Sequence, residues 1–190
     1  MTIQQINQYW IQANEKLNTY IPSQLAHPLL FNETISLLIN CGLPDSCAPF
    51  LSFGKCDDLK IPTPAQYFNI ALPELDNYLV IGTNDSGDPI CIDLNNNNNT
   101  VYLNHDNGFE STLINSSILQ MARSIIRYQD FIVSITPDMD DNTFARRKFS
   151  DDEFSSFAND FTQIDEKSLS DKTFWKADLD YLLWERDNEL

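Results

Sequence analysis

Glycine is scarce in this chain, with only five residues among 190. The sequence has no glycine-rich loop of the kind that cradles a phosphate, no HExxH pair, no Gly-x-Ser-x-Gly motif and no CxxC pair. These absences argue against a phosphate-loop nucleotide hydrolase, a zinc protease and an α/β-hydrolase. We therefore predict no catalytic residue, no metal site and no cofactor.

Basic residues are also few. Twelve lysines and arginines stand against 28 aspartates and glutamates, which gives a net charge of −16 and a pI near 4.2. A field of this sign repels nucleic acid and anionic membranes, and it speeds the encounter with basic proteins. We predict neither a nucleic-acid partner nor a membrane partner. Solubility alone is the plain alternative explanation of the charge.

Long apolar runs are missing too. No stretch approaches the roughly 20 apolar residues of a membrane helix, and the first residues show no basic and apolar signal pattern. This pattern predicts a cytoplasmic protein. The cysteines, Cys41, Cys47, Cys56 and Cys91, do not have zinc-ligand spacing, which favours buried or idle thiols over a metal site.

What the chain does have is enough apolar material for a core, since 42% of its residues are hydrophobic. At this length we predict one domain over residues 1–190. Aromatic residues at helical spacing predict that residues 136–190 form a helical extension that packs on the core.

The centre of the sequence predicts an antiparallel β-meander. Three short, β-prone runs begin at Tyr78, Ile90 and Val101, and turn residues separate them. Five consecutive asparagines, residues 95–99, connect the second run to the third. We predict that this low-complexity tract is a flexible hairpin loop.

The first connection of the meander carries its own turn signals. The side chains of residues 84–86 can close local hydrogen bonds with the backbone, and Gly87 can supply a positive φ. Pro89 has no backbone donor, so we place it at the very start of the second strand.

The N-terminal residues predict two helices. Thr2 and Gln5 have the spacing of a capping box, and the apolar residues Ile3, Ile6, Trp10, Ile11 and Leu17 follow at helical intervals. A second helix is predicted to begin at Asn32 as its cap and to stop at Gly42. Residues 48–75 contain four prolines, which predicts short strands and turns that pair beside the meander.

Three further helices are predicted after the meander. Ser116 or Ser117 can cap the first of them, and its apolar stripe should cover one face of the sheet. Ser150 and Glu153 form a second capping box, which predicts another helix. The last predicted helix covers residues 174–185.

The acidic stretch after the third predicted helix imitates the start of a calcium loop. Asp138, Asp140 and Asn142 alternate as the first ligands of such a loop do. The match then fails, because Thr143 stands where a glycine is needed and Phe149 stands where a bidentate glutamate is needed. We therefore predict no calcium site there.

Two other groups of residues have a chemical interpretation beside a structural one. His105 precedes Asp106 at a strand end, but a neighbouring His–Asp pair is not catalytic without a nucleophile that converges on it. An enzyme that uses His105 and nearby acids is the least favoured hypothesis. Asp85 and Asp88 flank a glycine turn, and local hydrogen bonds to the backbone explain them without a metal.

Four motifs together resemble the SUKH superfamily. They are Gly42-Leu-Pro44 after a helix, Tyr78-Leu-Val-Ile-Gly82, Gly87-Asp-Pro-Ile-Cys-Ile-Asp93 and Val101-Tyr-Leu-Asn-His-Asp106, followed by a serine-initiated helix. Immunity subgroups of this superfamily show a strand that ends in Ile-Gly and a Gly-Asp-Pro-Ile-x-x-Asp hairpin. The fourth subgroup also has Gly-Leu-Pro before the sheet, so the resemblance is nearest to that subgroup. The chain departs from the pattern in its long asparagine loop and at Ile118, where leucine is common.

This resemblance implies an α+β fold with a twisted, mostly antiparallel sheet flanked by N-terminal and C-terminal helices. It also implies a non-catalytic immunity protein that binds and neutralises a cognate polymorphic bacterial toxin with a basic face, such as a nuclease or a nucleotide-modifying toxin. The alternative hypothesis is a regulatory or scaffold module of the same superfamily. Residues 136–149 are predicted to be a linker with an acidic run. We predict toxin contacts on the acidic turns and in this linker, namely at Asp85, Asp88, Asp106, Glu110, Asp138, Asp140 and Asp141. For each of these residues, the alternative is that it lies on a solvent-exposed turn and contacts no partner.

Overall fold

The computed structural model describes residues 1–54, 57, 59–136 and 149–188. Within these residues, six helices and eight strands form an α+β fold, which confirms the predicted class. The elements are α1 (Ile3–Gln12), β1 (Leu17–Asn18), α2 (Asn32–Asn40), β2 (Leu43–Pro44), β3 (Ser46–Cys47), β4 (Leu51–Ser52), α3 (Pro64–Phe68), β5 (Tyr78–Asn84), β6 (Pro89–Asp93), β7 (Asn99–Asn104), β8 (Glu110–Asn115), α4 (Ile118–Ile135), α5 (Asp151–Ile164) and α6 (Phe174–Asp187). Two 3-10 turns cover Pro73–Asn77 and His105–Asn107.

The main sheet is antiparallel, and in the described residues it has six strands in the order β3-β4-β5-β6-β7-β8. Strands β5, β6 and β7 are the predicted meander, which is therefore confirmed, and Pro89 opens β6 as predicted. Strand β8 adds a further antiparallel strand that the sequence patterns do not predict. Strands β1 and β2 pair separately at the N-terminal side.

The sheet has a large core on one face and a small core on the other, because successive side chains of a strand point to opposite faces. The large core contains Ile81, Ile90, Ile92 and Ile114, together with residues of all the long helices. The small core lies beneath α3 and the first 3-10 turn, and its buried members are Ala65, Leu75, Val80, Cys91, Val101 and Leu103. Both faces are thus apolar at the centre of the sheet.

Capping boxes set the starts of two predicted helices. The hydroxyl of Thr2 accepts a hydrogen bond from the Gln5 N–H at the start of α1, and Ser150 and Glu153 form the same arrangement at the start of α5. Ser117 caps α4, as one of the two predicted serines. Leu17 lies in β1 rather than in α1, so the predicted first helix is too long.

Two local predictions are wrong. Asn32 is the first helical residue of α2, and Phe31 occupies the cap position without a side-chain hydrogen bond. Residues 64–68 form α3 rather than a strand, because Thr63 and Gln66 form a capping box around a proline that suits the first helical position. Among the described residues of the predicted stretch 48–75, only β4 is a short strand beside the meander, and it pairs with β5. Strand β3 lies just before that stretch.

The asparagine tract is held in place by one of its members. Asn98 is almost fully buried, and its side-chain oxygen accepts hydrogen bonds from the Phe31 N–H at 2.7 Å and from the Thr34 hydroxyl at 3.3 Å. Its amide nitrogen donates to the Leu29 carbonyl at 2.9 Å. The loop between β6 and β7 is therefore fastened to the start of α2, which differs from the flexible loop predicted.

The C-terminal helices are joined to the sheet through the buried side chain of Asn115. Its oxygen accepts a hydrogen bond from the Trp175 indole N–H at 2.8 Å, and its amide donates to Ser124 and to Asp165. The Asp165 carboxylate also accepts from the backbone N–H and the hydroxyl of Ser116. One polar network thus connects β8, α4, the end of α5 and the start of α6.

The removal of one donor tests this network. Trp175→Phe keeps most of the apolar contact but leaves the Asn115 oxygen without its donor, so we expect unfolding to require about 1–3 kcal/mol less free energy. Chemical denaturation measures the difference. Trp184→Phe is the matched control, because Trp184 lies on the same helix and is 49% exposed. Equal effects of the two substitutions would contradict the assigned role of the network.

Gly82 allows β4 to approach β5 closely. A Cβ atom at this position would lie 2.3 Å from the Ser52 carbonyl oxygen, which is backbone and has no free rotation to escape. We expect Gly82→Ala to lower the free energy of unfolding by about 1–3 kcal/mol, as overpacking does elsewhere. Gly54→Ala is the control, because no atom of the described residues beyond its chain neighbours lies within 4 Å of a Cβ there. Thermal or chemical unfolding of both variants checks the prediction.

Candidate protein-binding site

The antiparallel meander brings two acidic turns to the same end of the sheet. The turn between β5 and β6 carries Asp85 and Asp88, and the turn between β7 and β8 carries Asp106, with Glu110 at the start of β8. The structure thus places together all four of the contacts predicted on the meander. We call this end of the sheet the turn end.

Asp88 links the two turns directly. Its Oδ1 atom accepts a hydrogen bond from the His105 backbone N–H at 3.0 Å and lies 2.7 Å from Nδ1 of the His105 ring. Its Oδ2 atom accepts from the Asn84 amide at 3.0 Å. The Asn84 oxygen in turn accepts from the backbone N–H groups of Ser86 and Asp88, as the sequence predicts for this turn. His105 therefore has a structural partner 17 residues away in the chain.

The same contacts stabilise the charged form of Asp88. Burial by itself raises the pKa of a carboxyl, but hydrogen bonds from the His105 N–H, the Asn84 amide and the His105 ring outweigh it here. The pKa of Asp88 is consequently held below its ordinary value. The carboxylate thus stays ionised at neutral pH and keeps the two turns in register.

The four acidic side chains differ in their access to a partner. Asp88 is only 6% exposed, and its carboxylate is bound by His105 and Asn84. The side chain of Asp106 is 91% exposed, and Asp85 and Glu110 are exposed as well. Glu110 accepts a hydrogen bond from the Asn107 amide at 2.6 Å, which orients its carboxylate. Three carboxylates therefore reach solvent at the turn end.

Aromatic rings lie beside these carboxylates, and sequence reasoning misses them. Phe68, at the end of α3, stacks on the His105 ring with centroids 5.8 Å apart and contacts Phe109 edge to face at 5.5 Å. Tyr67 packs against Phe68 at 5.1 Å and is 51% exposed. The capping box that starts α3 is the sequence signal that would have placed these rings on a helix. One exposed ring, with partly buried rings and exposed carboxylates near it, has the composition of a protein-binding surface.

A groove of about 550 Å³ runs beside Tyr67. Its walls include the exposed ends of β3, β4 and β5, with hydroxyl groups from Ser46, Ser52 and Thr83. Tyr67 lines this groove and also packs against Phe68, which stacks on His105 at the turn end. Together the groove and the turn end form a surface that offers carboxylates, hydroxyls and one exposed ring.

The other predicted contacts, Asp138, Asp140 and Asp141, lie outside the described residues, as does the rest of the imitated calcium loop up to Thr143. The described part of the chain contains no group of three or more His, Cys, Asp or Glu side chains that could hold a metal ion. Its free cysteines are Cys41, Cys47 and Cys91. Among the helices of these residues, none has both the length and the apolar character needed to cross a membrane.

Most motif residues behind the resemblance have architectural roles. Gly42 has a φ of +77°, and a Cβ there would lie 2.5 Å from the Asn18 carbonyl oxygen. Gly87 has a φ of +81° in the turn before Asp88. Asp93 is buried and accepts hydrogen bonds from the Asn95 N–H and the Asn96 amide, which shapes the loop after β6. The motifs thus describe how the meander is closed rather than what it binds.

The fold is thus a helix-flanked antiparallel sheet that exposes carboxylates on its turns and the ring of Tyr67 on α3. A family model described as SUKH-4 immunity protein matches residues 11–181. The chain therefore belongs to the SUKH-4 immunity protein family, which confirms the resemblance to the fourth subgroup. Comparisons with curated proteins and with solved structures find no match.

Asp88 offers a test of how the turns are joined. Asp88→Asn keeps the shape but removes the charge that accepts three hydrogen bonds, so we expect a loss of about 1–3 kcal/mol in the free energy of unfolding at pH 7. Asp85→Asn, on the same turn but exposed, should change stability by less than about 0.5 kcal/mol. Urea denaturation of both variants makes the comparison.

The pH dependence of the Asp88 effect has a defined sign. Because its folded-state pKa is lowered, the stabilisation is complete above the ordinary carboxyl pKa of about 4 and is lost as pH falls through the lower folded value. The stability difference between the wild type and Asp88→Asn should therefore shrink as pH falls below about 4. A difference that stayed the same at pH 3 would contradict this role.

Proposed function

We propose that this protein is a cytoplasmic immunity protein that neutralises a cognate toxin by forming a stoichiometric complex with it. The observation that carries the proposal is the turn end, where Asp85, Asp106 and Glu110 expose their carboxylates. The exposed ring of Tyr67 is connected to this end through Phe68, which stacks on His105. Membership of an immunity protein family supports the same function. In this proposal the protein blocks its partner by binding and performs no catalysis.

The charge of the chain supports a basic toxin surface as the partner. A net charge of −16 gives a field that accelerates the approach of a basic protein, and exposed carboxylates at the turn end would direct it there. Nucleases and nucleotide-modifying toxins have such surfaces, because their substrates are anionic. Carboxylates on neighbouring turns can occupy the positions that substrate phosphates would take.

Long-range attraction does not hold a complex together by itself. Tight complexes depend on a few buried aromatic or arginine side chains, while border charges mainly change the rate of association. We assign the first role to Tyr67, supported from beneath by Phe68, and the second role to Asp106. In this proposal residues 1–190 act as one domain, with residues 136–190 as an extension on the core, and the acidic residues Asp138, Asp140 and Asp141 are further candidate contacts.

Co-expression with the product of the neighbouring reading frame tests the function. The expected result is a one-to-one complex that relieves the growth defect caused by that product. Recovery of this protein without a partner, with growth still inhibited, would overturn the proposal and favour the alternative of a regulatory or scaffold module. Size-exclusion chromatography with light scattering gives the stoichiometry.

Two variants separate the assigned roles in binding kinetics. Asp106→Lys should lower the association rate constant by about tenfold, with an effect that decreases at high salt. Tyr67→Ala should mainly raise the dissociation rate and weaken binding by about 2 kcal/mol, which is roughly 30-fold. The controls are Asp171→Lys and Tyr181→Ala, which make the same changes at exposed sites in the C-terminal part of the chain. Effects of equal size in variants and controls would contradict the turn end as the contact.

A further inference from the structure

Strand β8 is an edge of the main sheet whose outer side is unpaired in the described part of the chain. On its inner side it pairs with β7 through residues 110–115. Among the described residues, no strand lies on its other side, and beyond the β7 ladder no backbone–backbone hydrogen bond between them involves residues 110–114. In an antiparallel strand every second residue directs its N–H and C=O groups away from the paired neighbour. The outer side of β8 therefore presents a row of free donors and acceptors.

The open part of this edge is its first half. Glu110 and Ser111 are exposed, and Thr112 and Leu113 are half-buried. The second half is closed, because Ile114 is fully buried and Asn115 binds Trp175 of α6. An unpaired edge of this kind can pair with another extended chain. Proteins usually protect such edges, for example by keeping the edge strand very short. The opposite edge follows that rule, since β3 has only two residues.

The chemistry around the open half favours a basic partner over a second copy of this chain. Asp106 and Glu110 lie where β8 begins, and Phe109 and Leu113 add apolar contact next to them. A segment that carried a lysine or arginine beside alternating apolar residues would satisfy both features. A second copy would bring an identical acidic turn and another net charge of −16, which opposes self-pairing.

We propose that an extended segment of the cognate toxin adds to β8 as a seventh strand of the sheet. This inference rests on the proposed function and deepens it by giving the mode of binding. Backbone hydrogen bonds to β8 would provide affinity, and the acidic turn would set the position of a basic side chain at the strand end. The Tyr67 surface then contacts the body of the toxin.

Hydrogen–deuterium exchange on the complex with the neighbouring reading frame's product tests this mode. The outward amides of residues 110–113 should exchange quickly in the free protein and at least about tenfold more slowly in the complex. The amides of Asp171 and Lys172, exposed in the turn before α6, serve as the internal control and should not change. Slower exchange of the β8 amides in the free protein at high concentration would instead indicate self-pairing and overturn the proposal.

Substitutions at matched serines provide a second readout. Ser111→Lys places a long cation at an exposed position of the open edge and also removes the hydrogen bond between Ser111 and Tyr78. Ser155→Lys makes the same charge change at an exposed position on α5. We expect at least about tenfold weaker binding for the first variant and a change of less than about twofold for the second. Thermal unfolding of each variant checks that the fold is kept.

The outcomes separate the two proposals. A neutralising complex in which the β8 amides exchange as in the free protein, and in which both lysine variants bind alike, overturns strand addition but leaves the proposed function intact. The absence of any complex overturns both.

Discussion

The rest of the structure depends on one buried amide, the side chain of Asn115. A buried amide must find partners for its oxygen and its nitrogen, and here they come from Trp175, Ser124 and Asp165, on or beside three different helices. The last residue of the outermost strand is thus the point where α4, α5 and α6 are held against the sheet. Because Asn115 and Asp165 are buried and their side chains are hydrogen-bonded, the network fixes the positions of the three helices relative to the sheet.

The two ends of the sheet therefore differ in their exposure to solvent. The end near Asn115 is enclosed by helices, whereas the turn end carries exposed carboxylates and rings. The motif residues Gly82 and Asp88 lie inside the meander, where Gly82 admits β4 and Asp88 links the two turns. Asp106 and Tyr67 are exposed. Residues of the proposed binding surface can therefore change while the fold stays unchanged.

Local signals were sufficient to predict much of this fold. The capping boxes at Thr2 and Ser150 give helix starts, and the turn residues between short β-prone runs give the meander, because both depend on contacts between near neighbours in the chain. Helix α3 escapes the same reasoning, because Tyr67 and Phe68 are β-prone and their aromatic character outweighs the capping signal. The candidate acids could be predicted as turn residues. The burial of Asp88 could not, since its partner His105 reaches it only through the sheet pairing.

The five residues of the asparagine tract are identical in type but differ in burial and in hydrogen bonding. Composition describes five equivalent side chains, but only Asn98 reaches the start of α2, where its oxygen and nitrogen both find backbone partners. A repeat of one residue type is prone to gain or lose a unit when its coding sequence is copied. Here such a slip would move a different asparagine into the buried position without changing its chemistry, provided that the added or lost residue lies on the exposed side of the loop. The repeat therefore keeps an asparagine available for the buried position when the exposed part of the loop, residues 95–97, changes in length.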